Sequence, residues 1–496
     1  MSKNLISFLM LILAFSQAAA GDLCKTASTK HVDISIDTNH VVRSSVPNEI
    51  FGFNVPWYAF QVGLQVDGEP KRDLIEWLKP FQGALYRYPG GAPTSWFEWE
   101  NSIKPIAERK LVHYEYGKFA IPEFGYDEFL KFVKKVDGRA IVSLNLVGPY
   151  KKVSTTNEIA GDAARFVDWM LQKSSVRCIG SSSCPISYLE LDNELDWTPY
   201  NWPSKYYADR ANAVITAVGN KVPSKVWIVG GKTAPWEKNK EDFKTFNRTL
   251  SENLPVEIEN IAYHPYYDGI SVPGVIDYLG SYYTVFNKQR RHASVIVTEH
   301  ARWPSTPPSG VWKERWFEAT GQGGAISSSD FVLALIPDSK VGGATWHSLG
   351  VLGPWQLIRW DKGNNSLYPS PVYWGFRVLR EGFLDDAIEV TPNTIKEGSY
   401  SGGYDVRFVA MKSKERISLL GVNRSKNPLL VNIRWVGNSP KNVNAIMRYT
   451  SAPVDADNVD MNKGRVVMLT SLLKRATDGY KSTVCISGHS VFSIVY

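Results

Sequence analysis

A (β/α)8 TIM barrel followed by an antiparallel β-sandwich, an α/β fold overall, is what this sequence predicts. Three observations carry the prediction. Apolar runs of strand length recur eight times between residues 50 and 346, and amphipathic helical stretches separate most of them. Beyond about residue 385 the helical period fades into short strands broken by turns. An open doubly wound sheet would use the same alternation, but no glycine fingerprint follows the first run.

The elements follow in order. Lys3, an apolar run from Leu5 to Phe15 and the small residues Ala18, Ala19 and Ala20 form the pattern of a secretory signal peptide over residues 1–20. The run is too short for a membrane anchor, so a secreted, extracellular or periplasmic protein with no membrane span is expected. Residues 21–47 carry one strand, "HVDISIDTNHVV", in which Val32, Ile34 and Ile36 alternate with polar neighbours.

Residues 48–384 are expected to make the barrel, which would be the catalytic domain if the chain is an enzyme. Its strands are expected at "IFGFN" (50–54), "ALYRYP" (84–89), "AIVSLN" (140–145), "ISYLEL" (186–191), "VWIVGG" (226–231), "NIAYHP" (260–265), "VIVTE" (295–299) and "GGATW" (342–346). Between them, Tyr126, Phe129, Leu130, Val133 and Val136 fall at helical spacing, as do Ala163, Phe166, Val167 and Met170. Residues 385–496 hold the sandwich, with strands at "YDVRFVAMK", "RISLLGVNRS", "LLVNIRWVG", "NAIMRYT" and "HSVFSIVY".

The four cysteines fit an oxidising compartment. Of three possible pairings we prefer Cys178–Cys184, which closes the loop "CIGSSSC", with Cys24–Cys485, which staples the two ends. The latter would bring the N-terminal strand into the sandwich. No CxxC occurs, and the eight histidines show no metal spacing, so neither a metal nor an organic cofactor is called for. The formal charge of +7 is spread along the chain without a basic block, which argues against a nucleic-acid partner. Abundant aromatics, 17 tryptophans and 24 tyrosines, suit a carbohydrate partner, an oligosaccharide or polysaccharide whose rings stack on them.

Reactive groups of such a barrel gather at the C-terminal ends of its strands. "YLELDNELDW" places Asn193 and Glu194 at the end of the fourth strand, and "VIVTEHARW" is apolar until Glu299 ends the seventh. Two carboxylates across one barrel mouth are the minimum machinery for hydrolysing a glycosidic bond, one protonated and one ionised. Retaining enzymes hold such a pair about 5–5.5 Å apart. Glu190 and Asp192 alternate with leucines on one strand face and are expected to pair with Arg or Lys inside the barrel. Asp196, beyond the strand, is left to solvent or a loop.

These residues carry a resemblance. The chain is similar to the clan A retaining glycoside hydrolases, and within the clan to family 51, the α-L-arabinofuranosidases. "LYRYPGGAPTSWFEWENSIKP" resembles that family's Arg-Tyr-Pro-Gly-Gly stretch, "FGYDEFLKFVKKV" with "VSLNLVG" its third helix–strand unit, "HPYY" its sixth-strand His and Tyr, and "HSVFSIVY" its closing strand. The resemblance implies Glu194 as acid/base, Glu299 as nucleophile, Asn193 on the sugar 2-hydroxyl, and Tyr266 holding the nucleophile with His264 beside it. Arg87 would bond Glu299 and keep it ionised. Trp57 and Trp346 complete the candidate substrate-binding or supporting set.

The chain departs from family 51 at Ala92, where the family has Asn, at Thr298-Glu299-His300, and at Trp346-His347. These changes are expected on sugar-contacting positions. Families 39 and 79, endo-acting β-glycanases, β-xylosidases and β-glucuronidases of the clan stay open, as does a barrel that binds glycans without cleaving them. The presence of both Glu194 and Glu299 speaks against the last. The insert from about 92 to 122, with Trp96, Trp99, Tyr114 and Tyr116, would either wall off a pocket or line a cleft. Asn247, Asn364 and Asn423 begin glycosylation sequons. "GGKTAPW" has Val226 where a phosphate loop needs Gly, and no GxSxG occurs.

Overall fold

The computed structural model describes residues 24, 29–115, 117–173, 176, 178–180, 184–233, 240–267, 272–288, 290, 292–350, 352–395, 404–440, 444–459, 465–474 and 481–496. The expected signal peptide and Tyr116 lie outside the described residues.

All eight expected barrel strands form: Gly52–Asn54, Leu85–Tyr88, Arg139–Leu144, Ile186–Leu191, Trp227–Gly230, Asn260–Ala262, Ser294–Arg302 and Val341–Trp346. Each pairs in parallel with the next, and the eighth closes on the first through Trp346 and Phe53. The first strand is short and squeezed between its neighbours. A Cβ on Gly52 would lie 2.3 Å from the Ala344 carbonyl oxygen, so only glycine fits there. Helices Tyr126–Lys135 and Thr156–Gln172 form where the apolar spacing placed them, the second opened by a capping box between Thr155 and Glu158.

Strand alternation decides what the barrel contains. Leu85, Ile141, Ile228, Ala262 and Ile296 form one small apolar cluster, with Tyr188 packed against it. Two residues further along the same faces stand Arg87, Ser143, Glu190, His264 and Thr298, all buried. The interior thus changes from an apolar layer to a polar one toward the strands' C-terminal ends. That polar layer is the floor of the site.

The C-terminal part forms one continuous mixed sheet. Its order is Leu469–Lys474, Asn444–Ser451, Ser490–Val495, Ile417–Asn423, Val406–Lys412, Asp386–Thr391, Lys30–Arg43, Leu429–Val436 and Lys481–Ile486, folded around a core that includes Ile36, Phe408, Val431, Trp435 and Phe492. The N-terminal strand joins it, as the sequence predicts. However, the sheet is not wholly antiparallel, because Lys30–Arg43 runs parallel to Leu429–Val436. A parallel ladder needs a long crossover connection, and here the whole barrel supplies it. Strands Asp386–Thr391, Leu469–Lys474 and Lys481–Ile486 were not anticipated by the sequence pattern.

Cys24 is bonded to Cys485, tying the chain's start to the strand Lys481–Ile486, and Cys178 is bonded to Cys184 just before the fourth barrel strand. Among the described residues no helix is long and apolar enough to cross a membrane. Of the three sequon asparagines, Asn247 and Asn423 are fully buried and only Asn364 is exposed, so only Asn364 has room for a glycan in the folded chain.

The barrel meets the sheet through a buried ion network. Asp330, on the helix Gln322–Leu335, is fully buried and accepts hydrogen bonds from Arg407, from Arg424 and from the Tyr404 hydroxyl at 2.6–3.0 Å. Burial alone would raise its carboxyl, but the charges of Arg424 and Arg407 outweigh it and hold the group below the ordinary aspartate range.

Candidate active site

Glu194 and Glu299 line one pocket of about 280 Å³ at the C-terminal mouth of the barrel, together with Asn193, His264, Tyr266 and His347. Local backbone geometry puts them there. Strand four ends at Leu191, and Asp192 and Glu194 then take left-handed conformations at φ 67° and 48°. Non-glycine residues held this way cost about 1–3 kcal/mol each and cluster at functional sites. In strand seven the register against strand eight shifts by one residue between Val297 and His300. This bulge lets consecutive residues face the interior: Thr298 bonds His264, and Glu299 lines the pocket. His300 turns outward against Phe331.

Asp192 is anchored by three donors: the Ser95 hydroxyl at 2.6 Å, the Leu146 amide at 2.6 Å and its own neighbour's amide, Asn193, at 2.7 Å. It thereby pins the strand-four turn to the second and third strand loops. Burial pushes its carboxyl up to about 6 against those bonds. The expected pairing with a cation holds for Glu190, whose Oε2 accepts from Arg87 Nε at 2.5 Å and from Ser143 at 2.6 Å. It does not hold for Asp192, because hydroxyl and amide donors already occupy its oxygens. Asp196 is taken by a loop, accepting both the amide and the hydroxyl of Thr233 at 2.8 Å.

Arg87 is fully buried and organises the floor. Its guanidinium donates to Glu190, to Asn193 Oδ1 at 2.7 Å and to Glu299 Oε2 at 3.2 Å. Glu299 also accepts from Asn54 Nδ2 at 3.1 Å and, through its other oxygen, from the Tyr266 hydroxyl. Burial alone would raise the Glu299 carboxyl. The imidazoles of His347 and His264, the Arg87 guanidinium and the Tyr266 hydroxyl outweigh that and hold it far below the usual carboxylate range. Burial keeps His347 itself below its ordinary pKa, while the Arg87 guanidinium stays a permanent cation beside Glu299.

Across the pocket, His264 Nδ1 lies 2.8 Å from Glu194 Oε1 and its Nε2 lies 2.7 Å from the Thr298 hydroxyl. Burial disfavours the charged imidazole, but the hydrogen bond to Glu194 and the charges of Glu194 and Glu299 prevail and raise its pKa. Glu194 is the more open of the pair, with 24% of its side chain exposed against 8% for Glu299. One carboxyl is therefore held deep in the pocket by Arg87, Asn54 and Tyr266, and the other stands beside His264 with access to solvent.

Tyr266 gives a direct test of this arrangement. Replacing it with Phe removes one hydrogen bond to the Glu299 anion, an interaction worth about 1.5–3 kcal/mol. If Glu299 is the nucleophile, kcat is expected to fall by about 10–100-fold. The acid limb of the kcat/KM profile moves to higher pH, because the carboxyl protonates more easily without that donor. An unmoved acid limb in a pH series would separate Tyr266 from Glu299.

A family model, the α-L-arabinofuranosidase 1 domain, matches residues 77–267. Short stretches match curated enzymes: the intracellular exo-α-(1→5)-L-arabinofuranosidase of Halalkalibacterium halodurans is 32% identical over 77 residues, and that of Bacillus subtilis strain 168 is 30% identical over 77. Each of these matches spans 15% of this chain and 15% of the relative. The architecture matches almost end to end. An arabinose complex of the α-L-arabinofuranosidase from Thermotoga maritima superimposes with a TM-score of 0.74 at 16% identity, covering 94% of this chain and 99% of that one. The chain has the fold of the glycoside hydrolase family 51 α-L-arabinofuranosidases. The family 51 enzyme of Bifidobacterium longum gives a TM-score of 0.74 at 14% identity over 93% of this chain and 99% of its own. A family 44 xyloglucanase from Paenibacillus polymyxa, at 0.60 and 12% identity, covers 94% of this chain and 99% of its own.

On this family 51 fold, several sequence expectations change. Trp57 and Trp346 are fully buried and are not among the residues lining the pocket. Trp57 packs between Phe97 and Tyr114, and Trp346 packs on Phe376 while donating Nε1 to Ser328. Trp57 supports the pocket wall from behind, with its ring edge-on to Tyr58. His300 likewise faces away, so of the departing positions Ala92 and His347 line the pocket beside Glu299 itself. The insert contributes Ala92 and Pro93 directly. Its Tyr114 stacks on Tyr58, which lines the pocket, whereas Trp96 is buried beside His113 and Trp99 lies on Phe166.

Sequence reasoning missed Asn54, although as the polar residue ending the first apolar run it met the same rule that found Glu299. Its Nδ2 serves both Glu299 and His347 Nδ1, the latter at 2.9 Å. Gly90, at φ 70°, makes room for it, since a Cβ there would lie 2.2 Å from Asn54 Oδ1. The pocket's aromatic wall was missed too: Trp303 and Trp355 pack at 5.2 and 5.3 Å against Tyr266. Among the described residues no group of three or more His, Cys, Asp or Glu could hold a metal.

Proposed function

We propose that this protein is a retaining glycoside hydrolase acting as an α-L-arabinofuranosidase on a plant, algal or microbial polysaccharide or oligosaccharide. The observation that carries the reading is the asymmetric pair in one pocket: Glu299 held as an anion by Arg87 and Tyr266, and Glu194 beside His264 with access to solvent. The family 51 fold and the arabinose complex of its Thermotoga maritima neighbour support the choice of sugar.

In the first half-reaction Glu299 attacks the anomeric carbon, the bond to the leaving oxygen breaks, and Glu194 gives that oxygen its proton. The product is a glycosyl ester on Glu299. Glu194, now ionised, takes a proton from water as the water attacks the same carbon, and Glu299 departs as a carboxylate. Asn193 donates through its amide nitrogen to the sugar 2-hydroxyl in this reading, which the hold of Arg87 on its Oδ1 supports.

Export belongs to the same proposal, supported by the pattern of residues 1–20 and the two disulfides. The test of substrate is sugar release from aryl arabinofuranosides, xylosides, glucosides and glucuronides, and from arabinan, xylan and xyloglucan. Arabinose from the first substrate and from arabinan supports the reading. Xylose, glucuronic acid or large oligosaccharides in its place would redirect it to another member of the clan.

A further inference from the structure

Beside the active-site pocket lies a groove of about 520 Å³, lined by residues of the segment 312–320, the loop 352–356 and the hairpin formed by Ile358–Asp361 and Ser366–Pro369. One tryptophan layer parts the two. The Trp312 ring is 5.5 Å from Trp303 and 5.9 Å from Trp355, which line the pocket, and 6.3 Å from Trp316, which lines the groove. Past Tyr368 a second groove of similar volume continues along the hairpin to Trp374 and Arg465. The surface has room for several linked units rather than one.

The charges of this groove are unevenly committed. Glu314 accepts from the Ser309 hydroxyl at 2.7 Å and Asp457 from the Val459 amide at 2.9 Å, so each carboxylate already serves its own chain. Lys313 and Lys362 are exposed, and among the described residues neither belongs to an ion pair. Each ammonium stands over an indole instead, Lys313 at 5.8 Å from the Trp316 ring and Lys362 at 5.5 Å from Trp360.

Arg359 lines the same groove, only 5% exposed, and its guanidinium donates to uncharged oxygens, the Asp457 carbonyl and the Thr320 hydroxyl. Its Nε, like the Trp316 Nε1, is a buried donor with no hydrogen-bond partner among the described residues. Such orphans are uncommon in folded interiors. Burial lowers the pKa of Arg359, and the charge of Asp457 and the Tyr368 hydroxyl offset that only in part. An incoming anion would relieve a buried cation left in this state.

We infer that the groove is a second carbohydrate-binding site, one that takes a polysaccharide whose units carry carboxylates, a polyuronate. A uronate ring offers an apolar face of C–H groups and a carboxylate at its edge, and a tryptophan paired with a lysine meets both. Neutral sugars could use the rings but would leave the three cations unanswered. A polymer held here keeps its side branches one tryptophan layer from Glu299, which raises their effective concentration at the pocket without altering the chemistry. Binding at the groove stands apart from the proposed activity, and only its kinetic consequence rests on the arabinofuranosidase reading.

The experiment measures polygalacturonate binding by titration calorimetry. The protein is made in a bacterial host, so that Asn364, at the turn of the same hairpin, carries no glycan. Wild type is compared with Lys313→Glu/Lys362→Glu and with Lys225→Glu/Lys414→Glu, which changes the net charge equally at exposed positions outside the groove. The groove pair should weaken binding by about tenfold or more, and the outer pair by less than about twofold. Carboxyl-reduced polygalacturonate should bind the wild type about tenfold more weakly than the parent polymer. On pectin bearing arabinofuranosyl branches the groove pair should raise KM, while kcat/KM on 4-nitrophenyl α-L-arabinofuranoside stays unchanged.

No binding by the wild type, equal weakening in both charge-reversed proteins, or equal affinity for the carboxyl-reduced polymer would overturn the inference. So would a wild-type dimer that the groove pair abolishes and polygalacturonate leaves intact, since a second copy would then fill the groove. A wild type that binds polygalacturonate through the groove yet releases no arabinose from any substrate removes the arabinofuranosidase reading and supports the site.

Discussion

Glu299→Ala is expected to lower kcat/KM on an arabinofuranoside by about 10,000-fold or more, the scale on which loss of a nucleophile acts. The protein should remain folded, because Arg87 keeps Glu190 as its counter-ion when Glu299 is gone. Azide can enter the vacated space and attack the anomeric carbon from the face that Glu299 used. It should restore turnover and give a glycosyl azide of configuration opposite to the substrate. The corresponding change at the acid/base is milder. Glu194→Ala should cost about 100–10,000-fold on natural leaving groups and less on activated ones, which depart without a proton. A Glu299→Ala protein that keeps a tenth of the wild-type rate, or an azide product of retained configuration, would remove Glu299 from the role.

The second large effect is on stability. Asp330→Ala is expected to destabilise the fold by about 3–5 kcal/mol, since it strands Arg407 and Arg424 beside a vacated carboxylate site. Asp330→Asn, close in shape but uncharged, should lose a similar amount, which separates the charge from the packing. The pH dependence has a definite sign. The folded-state pKa of Asp330 is depressed, so its contribution is present above the unfolded value of about 3.9 and disappears as pH falls through the folded one. In urea unfolding, the gap between wild type and Asp330→Ala should therefore be full at pH 7 and close below pH 4. A gap under about 1 kcal/mol at pH 7 would mean that solvent already screens the pair.

What could be read in the chain and what could not divide along physical lines. The barrel strands were legible because each is buried on both faces and so reads as an unbroken apolar run. Glu194 and Glu299 were legible because a carboxylate directly after such a run must lie at the barrel mouth. Side-chain direction was not legible. Trp346 ends its strand as Glu299 nearly ends its own, yet one points into the helical layer and the other into the pocket. The bulge between Val297 and His300 that turns Glu299 inward leaves no mark in the composition.

The turn at Asp192 shows the same limit. A left-handed aspartate looks like any other strand-end acid until the Ser95 and Leu146 donors are seen around it. Its partners come from distant loops, which is why a cation was expected and hydroxyl and amide groups were found. The parallel pairing of the first strand was hidden for a related reason. It depends on where 385 further residues take the chain before Leu429 arrives, not on the pattern of Val32, Ile34 and Ile36.

The central claim is double displacement through Glu299, and the configuration of the first-formed sugar tests it most directly. Proton NMR of 4-nitrophenyl α-L-arabinofuranoside during its first minutes of cleavage distinguishes the two anomers before mutarotation mixes them. The account predicts that α-arabinofuranose appears first. Arabinose appearing first as the β-anomer would mean that water, not Glu299, attacks the sugar, and would contradict it.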